Sequence, residues 1–309
     1  MRRKIKRKFL KYYESNYYGL KNHIFFSVFD YFYEKLKKSD LEFTKGFYKS
    51  AFQKELNIDT PLTYNEKINW LKLNNRALIL CNLTDKIKVR EYVAKTVGEK
   101  YLIPLLNVFD TINEFKIDGF PNYPFIVKTN HDSGSYFIVK DKSDIDLQDL
   151  KLELDRSLCK NFYFRFREWQ YKNIEPKILV EKLLLDFKGK VPNDYKFHCS
   201  NGRLLFIQVD SDRELGHYRN NYDENWNLLP FEKGIQSGPI QNKPNALNEM
   251  IFVAKRLSEN FAFTRVDLYE CNDQVFFGEI TFTPGAGTSK FYPEEYDQIY
   301  GAQIELFVN

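Results

Sequence analysis

The residues best suited to chemistry lie between positions 265 and 287. Arg265 and Asp267 stand two positions apart in a run rich in Val, Leu and Tyr, and Glu279 and Thr281 stand in a second such run. These runs, 264–270 and 275–282, predict the two strands of a β-hairpin, because β-branched and aromatic residues favour strands. Two carboxylates and a guanidinium on one face would suit a divalent cation, since Mg²⁺ prefers oxygen ligands.

The register of this hairpin decides whether the carboxylates meet. A three-residue loop at 272–274 places Asp267 directly opposite Glu279, and opposite residues share a face. A two-residue turn at 272–273 would place them on opposite faces and exclude a shared metal ion. The remaining alternative is an exposed hairpin with solvated charges.

A second arrangement suits an anion. Residues 125–129 and 136–140 predict two strands joined by a turn of small and polar residues. The N–H and hydroxyl groups of such a turn can face phosphate oxygens, while Lys128 supplies positive charge. The alternative is a hairpin tip with an exposed lysine. The glycines within 283–287 can likewise bring backbone N–H groups close to an anion.

The elements that position these residues follow from local patterns. Apolar spacing predicts helices within 40–84 and over 85–98, 144–160 and 246–259, and strands over 101–109, 178–185, 194–199 and 203–209. Thr63 and Glu66 have capping-box spacing, and Asn201-Gly202 predicts a type I′ turn. Residues 214–243 are rich in Asn, Gly and Pro and predict a long loop.

Composition limits the class of protein. The chain has 309 residues, 43% hydrophobic and 17% aromatic, which is sufficient for a large core and excludes disorder. It has no apolar run of 18 residues and no leader-like start, so we expect a cytoplasmic protein. The four cysteines and four histidines show no metal-ligand spacing, and we expect the cysteines to be free, buried thiols.

Charge is concentrated at the start of the chain. Residues 1–11 carry seven positive charges, whereas the whole chain carries +4, so the remainder is net negative. A nucleic-acid-binding body needs a basic face over the fold, and none is expected here. Residues 1–38 combine this basic cluster with many aromatic residues. They predict either a helix on an anionic membrane surface or an amphipathic helix packed on the protein itself.

Taken in order, these segments resemble the TupA-like family of the ATP-grasp superfamily, which acts in bacterial cell-surface polysaccharide and teichuronopeptide biosynthesis. The resemblance covers about residues 60–300. It is carried by PLTYNEK (61–67), TDK (84–86), VKTNH (127–131), SG (133–134), REW (167–169), LVEK (179–182), DYK (194–196), QVDSDR (208–213), RVD (265–267) and GEITFTPG (278–285).

The resemblance implies an α+β, ATP-grasp fold in which two α+β subdomains clasp ATP, at 85–187 and 188–309. The first subdomain holds the lysines, the phosphate loop and the adenine hinge, and the second holds the metal-binding hairpin. The residue pattern itself predicts what precedes them: a basic, aromatic, amphipathic segment at 1–38 and a helical N-terminal region at 39–84.

The resemblance also implies roles for single residues. Lys86 and Lys128 would contact the α- and β-phosphates, and the loop holding Ser133, Gly134 and Ser135 would close over the phosphates. Asp267 and Glu279 would bind Mg²⁺, and Arg265 would stabilise an acyl-phosphate. The remaining implied residues are Glu181, Lys182, Leu183 and Leu184 at adenine, and Lys196, Asp212 and Arg213 on the acceptor side.

Two features depart from the family pattern. Many ATP-grasp enzymes carry Asn two residues after the second acid, where this chain has Thr281, a neutral and poorer metal ligand. The N-terminal region is predicted to be helical, whereas many relatives begin with a Rossmann-like domain, so acceptor recognition does not transfer.

The implied activity is carboxylate–amine ligation through an acyl-phosphate, with ATP and Mg²⁺ as cofactors. The expected partners are a polysaccharide or lipid-linked sugar precursor bearing a uronic acid carboxyl, and an amino acid or amino sugar as the amine. Residues 1–38 would place the protein at the inner face of the cytoplasmic membrane. Three alternatives stay open: a sugar kinase of the same fold, a glycosyltransferase using Asp210 and Asp212, and a non-catalytic assembly factor.

Overall fold

The computed structural model describes residues 39–117, 119–120, 122–211 and 217–309. The predicted membrane segment 1–38 and the acceptor-side residues Asp212 and Arg213 lie outside these ranges. The described helices are α1 (Asp40–Phe52), α2 (Tyr64–Asn74), α3 (Leu78–Thr84), α4 (Val89–Thr96), α5 (Leu147–Leu158), α6 (Tyr163–Phe166), α7 (Leu247–Ser258) and α8 (Glu295–Gly301). The described strands are β1 (Leu105–Phe109), β2 (Phe125–Thr129), β3 (Tyr136–Val139), β4 (Ile178–Lys182), β5 (Asp194–Ser200), β6 (Arg203–Ser211), β7 (Tyr218–Tyr222), β8 (Glu232–Lys233), β9 (Thr264–Cys271), β10 (Gln274–Thr281) and β11 (Phe291–Tyr292).

The chain forms two compact units. The described part of the smaller unit consists of residues 39–44 and Leu105–Lys182, and the larger unit consists of Lys45–Pro104 and Leu183–Asn309. Both contain helices and antiparallel sheets, so the predicted α+β class is confirmed. Residues 85–104 fall in the larger unit, and the predicted segments at 39–84, 85–187 and 188–309 stay predictions.

The smaller unit is built on a four-stranded antiparallel sheet in the order β1-β4-β2-β3. One sheet face presents Val127 and Val180, which pack against Leu150 and Leu154 of α5. These two leucines are four residues apart and therefore lie on one side of the helix. The predicted strand 178–185 ends earlier than expected, at Lys182.

The larger unit is built on a five-stranded antiparallel sheet in the order β10-β9-β5-β6-β7. The residues that alternate onto one face, such as Phe197, Val266 and Leu268, pack against apolar residues of α3, α4 and α7. The predicted Asn201-Gly202 turn joins β5 to β6, and both residues have positive φ, as a type I′ turn requires. The opposite face of the sheet is largely polar.

Residues 214–243, predicted to be a loop, contain β7, and this prediction is wrong. β7 pairs with β6 and is the edge strand of the five-stranded sheet. Its sequence, YRNNY, lacks the usual alternation of apolar and polar residues because Asn220 lies opposite Val209 on the apolar face, so that three polar residues follow one another. Without alternation the segment gives no hydrophobic strand signal.

Helix α2 packs against the small-residue segment 284–287. The predicted capping box at its start is confirmed, since Thr63 and Glu66 satisfy each other's backbone N–H groups. Asn69 donates a hydrogen bond to the Gly287 carbonyl at 2.8 Å, and a Cβ atom at Gly287 would lie 2.5 Å from the Asn69 amide nitrogen. Position 287 therefore needs glycine, and α2 fixes the segment that follows β10.

Two further predictions concern cysteines and membrane-spanning helices. All four cysteines are free thiols, as predicted; Cys81, Cys199 and Cys271 are also buried as predicted, whereas Cys159 is only partly buried. None of the described helices combines the length and apolar content needed to cross a bilayer.

Candidate functional site

The polar face of the five-stranded sheet is organised in cross-strand rows. One row runs from Asn221 through Gln208, Lys196 and Asp267 to Glu279. A neighbouring row holds Arg219, Asp210 and Asp194, and another holds Phe206, His198, Arg265 and Thr281. Residues two apart on a strand share a face, so all three rows lie on the same side of the sheet.

The β9–β10 hairpin reaches its register by an unexpected route. Of the two alternatives left open by the sequence, the structure has the two-residue turn, Asn272 and Asp273, both with positive φ. The expectation that this turn separates the carboxylates is wrong, because a β-bulge at Gly278 shifts the pairing by one residue. Asp267 therefore lies opposite Glu279.

The bulge depends on a residue without a side chain. A Cβ atom at Gly278 would lie 2.8 Å from the Tyr269 ring and 3.1 Å from the Asp267 carbonyl oxygen. Both distances are closer than ordinary van der Waals contact. Gly278 thus lets Glu279 and Asp267 share a face, and Thr281 pairs with Arg265 on the same face.

Arg265 links the two opposed carboxylates. Its Nε donates to Asp267 Oδ1 at 2.7 Å, and its Nη2 donates to Asp267 Oδ2 at 2.6 Å and to Glu279 Oε1 at 2.9 Å. Asp267 is 1% exposed, whereas the Glu279 side chain is 38% exposed. Opposed carboxylates repel, and the guanidinium between them offsets this repulsion. Glu279 nevertheless keeps access to solvent.

Lys196 is the second cation of this site. Its ammonium lies 2.9 Å from Asp267 Oδ2 and 3.8 Å from Asp210 Oδ2, and it also pairs with Asp194. Lys196 is 6% exposed. Burial alone would lower its pKa, but Asp194 and Asp267 raise the pKa of Lys196 above its ordinary value. Lys196 therefore stays charged, and its positive charge offsets the negative charges of Asp194 and Asp267.

Arg219 is a member of the site that sequence reasoning missed. It binds Asp210 through both ends of its guanidinium, at 2.7 and 3.0 Å, and also donates to the Lys233 carbonyl at 2.9 Å. Arg219 lies in the segment YRNNY, whose three consecutive polar residues do not indicate a strand. Asp210 is thus already held by a bidentate ion pair.

The charges around Glu279 favour its ionised form. Burial raises the pKa of this carboxyl, but Arg265, Lys86 and Lys196 outweigh burial and hold the pKa of Glu279 below its ordinary value. Lys86, predicted as a phosphate contact, therefore lies close enough to Glu279 to act on it. The structure brings Arg265, Asp267, Glu279, Thr281, Lys196 and Lys86 together in the larger unit.

The remaining predicted contacts begin in the smaller unit. Lys128 forms a 2.5 Å ion pair with Glu181, and both side chains are largely buried. The turn after β2 exposes Ser133 and Gly134, whereas Ser135 is partly buried. Lys182 ends β4, and its ammonium lies 5.8 Å from the centre of the Tyr123 ring.

Leu183 and Leu184, predicted at the adenine hinge, open the larger unit's second segment. Their side chains are buried. Leu184 packs with Ile103 and Cys271.

The carboxylates fit a particular kind of metal site. No group of three or more Asp, Glu, His or Cys residues in the described ranges could hold a metal by itself. Mg²⁺ is usually bound by one or two carboxylates together with substrate phosphates and water. Asp267 and Glu279 fit that pattern, since a carboxylate has about four acceptor sites and the bonds from Arg265, Lys196 and Thr281 use only some of them. The Thr281 hydroxyl lies 3.2 Å from Glu279 Oε1 and is bonded to it.

A buried layer lies beside the site on the same sheet face. His198 stacks on Phe206, and its Nδ1 lies 2.9 Å from the Tyr64 hydroxyl. Burial, together with Lys233 and Arg265, holds the pKa of His198 well below its ordinary value, so the ring is neutral.

This layer also contains a buried lysine, Lys233. It is 2% exposed, and its ammonium lies 5.2 Å from the centre of the Tyr64 ring and 5.5 Å from that of Phe291. Burial, with Arg219 and Arg265, lowers the pKa of Lys233 to about 7. Folding thus buries a lysine whose charged form is disfavoured relative to the unfolded chain.

Replacing Lys233 with Met is expected to raise the free energy of unfolding at pH 7. The unfolded chain takes up the Lys233 proton below about pH 10.5, whereas the folded protein does so only near pH 7. Wild-type stability should therefore fall as the pH falls from 10.5 to 7, and Lys233→Met should lack this loss. Urea unfolding at pH 7 and pH 9.5 measures both, with the exposed Lys243→Met as control. A variant less stable than wild type at pH 7, or a gain that does not shrink at pH 9.5, would contradict the expectation.

Comparison with known proteins gives one family and several solved structures. The model of the TupA-like ATP-grasp family matches residues 66–305. No curated protein matches the chain.

The solved structures include a D-alanine–D-alanine ligase from Helicobacter pylori, 19% identical, covering 72% of this chain and 61% of that one with a TM-score of 0.43. An L-amino acid ligase from Bacillus licheniformis is 13% identical, covering 67% and 44% with a TM-score of 0.42. An N5-carboxyaminoimidazole synthetase from Staphylococcus aureus is 14% identical, covering 65% and 44% with a TM-score of 0.38. The chain spans about half the length of the solved proteins it matches.

Proposed function

Because this chain belongs to the TupA-like ATP-grasp family, whose members are ATP-dependent ligases, we propose that it joins a carboxylate to an amine with formation of ADP. The observation that carries the proposal is the pair Asp267 and Glu279, opposed on one sheet face and bridged by Arg265. In the proposed reaction a carboxylate oxygen attacks the γ-phosphorus of ATP and ADP leaves. The amine then attacks the acyl carbon, loses a proton and displaces phosphate.

The residues of the larger unit are proposed to bind and orient rather than to react. Asp267 and Glu279 would hold Mg²⁺, with Thr281 beside them, and the bound ion supplies positive charge to phosphate oxygens. Arg265 and Lys86 would neutralise charge that develops during phosphoryl transfer. Fixed charges of this kind need no rearrangement when the reaction occurs.

In the smaller unit, Lys128 and the turn at 130–135 are proposed to contact nucleotide phosphates. Glu181 and the backbone at 182–184 are proposed to contact adenine. The placement of Lys196 and Arg213 on the acceptor side stays a prediction, because Arg213 lies outside the described residues and the Lys196 ammonium is held by carboxylates.

We further propose a uronic acid carboxyl of a surface polysaccharide or its lipid-linked precursor as one substrate, and an amino acid or amino sugar as the other. Residues 1–38 are proposed to contact the inner membrane surface, since they combine positive charge with aromatic residues. Vesicle sedimentation with and without these residues tests this; equal partition onto anionic vesicles would contradict it.

Thermal unfolding tests the nucleotide part of the proposal. Mg²⁺ with a non-hydrolysable ATP analogue should raise the melting temperature, whereas Mg²⁺ with a panel of nucleotide-sugars should not. A shift with nucleotide-sugars alone would favour a glycosyltransferase and overturn the ligase. That alternative has less support, because Asp210 is occupied by Arg219.

A further inference from the structure

The side chains of Asn130, His131 and Asp132 hold the turn between β2 and β3 in place. The Asn130 amide bonds the Glu175 carbonyl at 3.0 Å and the Lys177 N–H at 2.7 Å. His131 Nε2 lies 3.0 Å from the Lys160 carbonyl oxygen. The base of the turn is therefore held to two other segments of the smaller unit.

Asp132 fastens the turn from inside. It is 4% exposed, and its carboxylate accepts hydrogen bonds from the Thr129 hydroxyl, at 2.5 Å, and from the Ser135 hydroxyl. Ser157 of α5 lies 3.3 Å from the Ser135 hydroxyl and extends this network. Asp132 thus links Thr129, the last residue of β2, to Ser135, the last residue of the turn.

The network determines which donors are available to a ligand. A hydroxyl has a single proton, and Ser135 uses its proton on Asp132. Phosphate oxygens at neutral pH accept hydrogen bonds, so this hydroxyl cannot donate to phosphate while it stays bonded. Ser133 and Gly134, by contrast, are exposed, and their backbone N–H groups have no acceptor among the described residues. Gly134 has φ +97°, which favours glycine.

We propose that Asp132 is a positioning residue that fixes the turn so that the N–H groups of Ser133 and Gly134 bind phosphate oxygens. The inference rests on the proposed function, since the ligand is the phosphate chain of ATP. It also assigns Ser135 a supporting role through its hydroxyl. Asp132 brings a negative charge near phosphate, and this unfavourable contribution is offset by the order it imposes on the turn.

The Asp132→Asn variant tests this role, because the two possible effects have opposite signs. If only the charge of Asp132 mattered, its removal would strengthen ATP binding. The amide can accept only one of the two hydroxyl bonds in place, so we expect loss of order and weaker binding. Calorimetry with Mg²⁺ and a non-hydrolysable ATP analogue should show affinity lower by about tenfold, the effect of one bond to a charged group.

Adenosine separates positioning from general damage. It lacks phosphates, so its affinity for Asp132→Asn should equal that for wild type. The exposed Asp149→Asn makes the same change in net charge on α5 and should leave both affinities unchanged. Ser135→Ala keeps the backbone donors and should weaken ATP binding less than Asp132→Asn does.

Each other outcome overturns the inference. Tighter or unchanged binding of the ATP analogue to Asp132→Asn excludes a positioning role, and an equal loss of adenosine binding indicates structural damage. If Asp132→Asn does not fold, Thr129→Val removes one of the same bonds and should show the same selective loss. A wild-type protein that binds no ATP analogue would instead contradict the proposed function.

Discussion

Replacing Glu279 with Gln is expected to abolish the Mg²⁺-dependent part of ATP-analogue binding. The carboxylate is held ionised by Arg265, Lys86 and Lys196 and keeps access to solvent, so it is suited to bind a cation. A ligand at a hundred times its dissociation constant stabilises a protein by about 2.7 kcal/mol. A hundredfold weaker affinity at the same concentration leaves about 0.4 kcal/mol. Thermal unfolding with the analogue, with and without Mg²⁺, measures this difference.

Two further variants complete the Glu279 experiment. Glu295→Gln changes an exposed carboxylate in the same unit and should keep the full Mg²⁺ effect. Thr281→Val removes the hydroxyl at the third predicted metal position and should have a smaller effect, since a neutral hydroxyl is a weak ligand. If Glu279→Gln and wild type respond equally to Mg²⁺, Glu279 is not a metal ligand and the proposed site is wrong.

Replacing Lys196 with Met is expected to lower the free energy of unfolding by about 3–5 kcal/mol. The ammonium is buried between Asp194 and Asp267, and its removal leaves their charges without this partner in a region shielded from water. Arg265 still pairs with Asp267, so we expect Asp194 to account for most of the loss. Urea unfolding at pH 7 measures the change.

A double variant tests the assignment to Asp194. Adding Asp194→Asn to Lys196→Met removes the charge that Lys196 offset and should recover part of the stability. If the changes in unfolding free energy of the two single variants sum to that of the double variant, the two residues do not interact, because a coupled pair departs from additivity. Lys196→Arg keeps the charge and should cost less than Lys196→Met.

Much of the site was predictable because its signals are local. The strands carrying Arg265, Asp267 and Glu279, the capping box at Thr63 and the Asn201-Gly202 turn each depend on residues a few positions apart. The resemblance to the TupA-like ATP-grasp family is confirmed by the family match over 66–305. The metal and nucleotide roles of the individual residues stay predictions that the variants above test.

Some features were not predictable because they depend on distant residues. The contact between Arg219 and Asp210 requires β7 to pair with β6, and β7 gives no alternation signal because Asn220 lies on its apolar face. The network around Asp132 requires Ser157 of α5 and the segment at 175–177 to lie beside the turn. Neither sequence spacing nor residue type indicates such neighbours.

The amino-acid sequence by itself determined which groups are present and which local elements carry them. Only the tertiary structure decided that Asp267 and Glu279 share a face. The two-residue turn alone would have separated them, and the bulge at Gly278 reverses that result. The physical reason is that a strand's side chains alternate with a period of two, so one extra residue moves every later side chain to the other face. The bulge in turn places residue 278 so close to the Tyr269 ring and the Asp267 carbonyl oxygen across the hairpin that a side chain there would meet both.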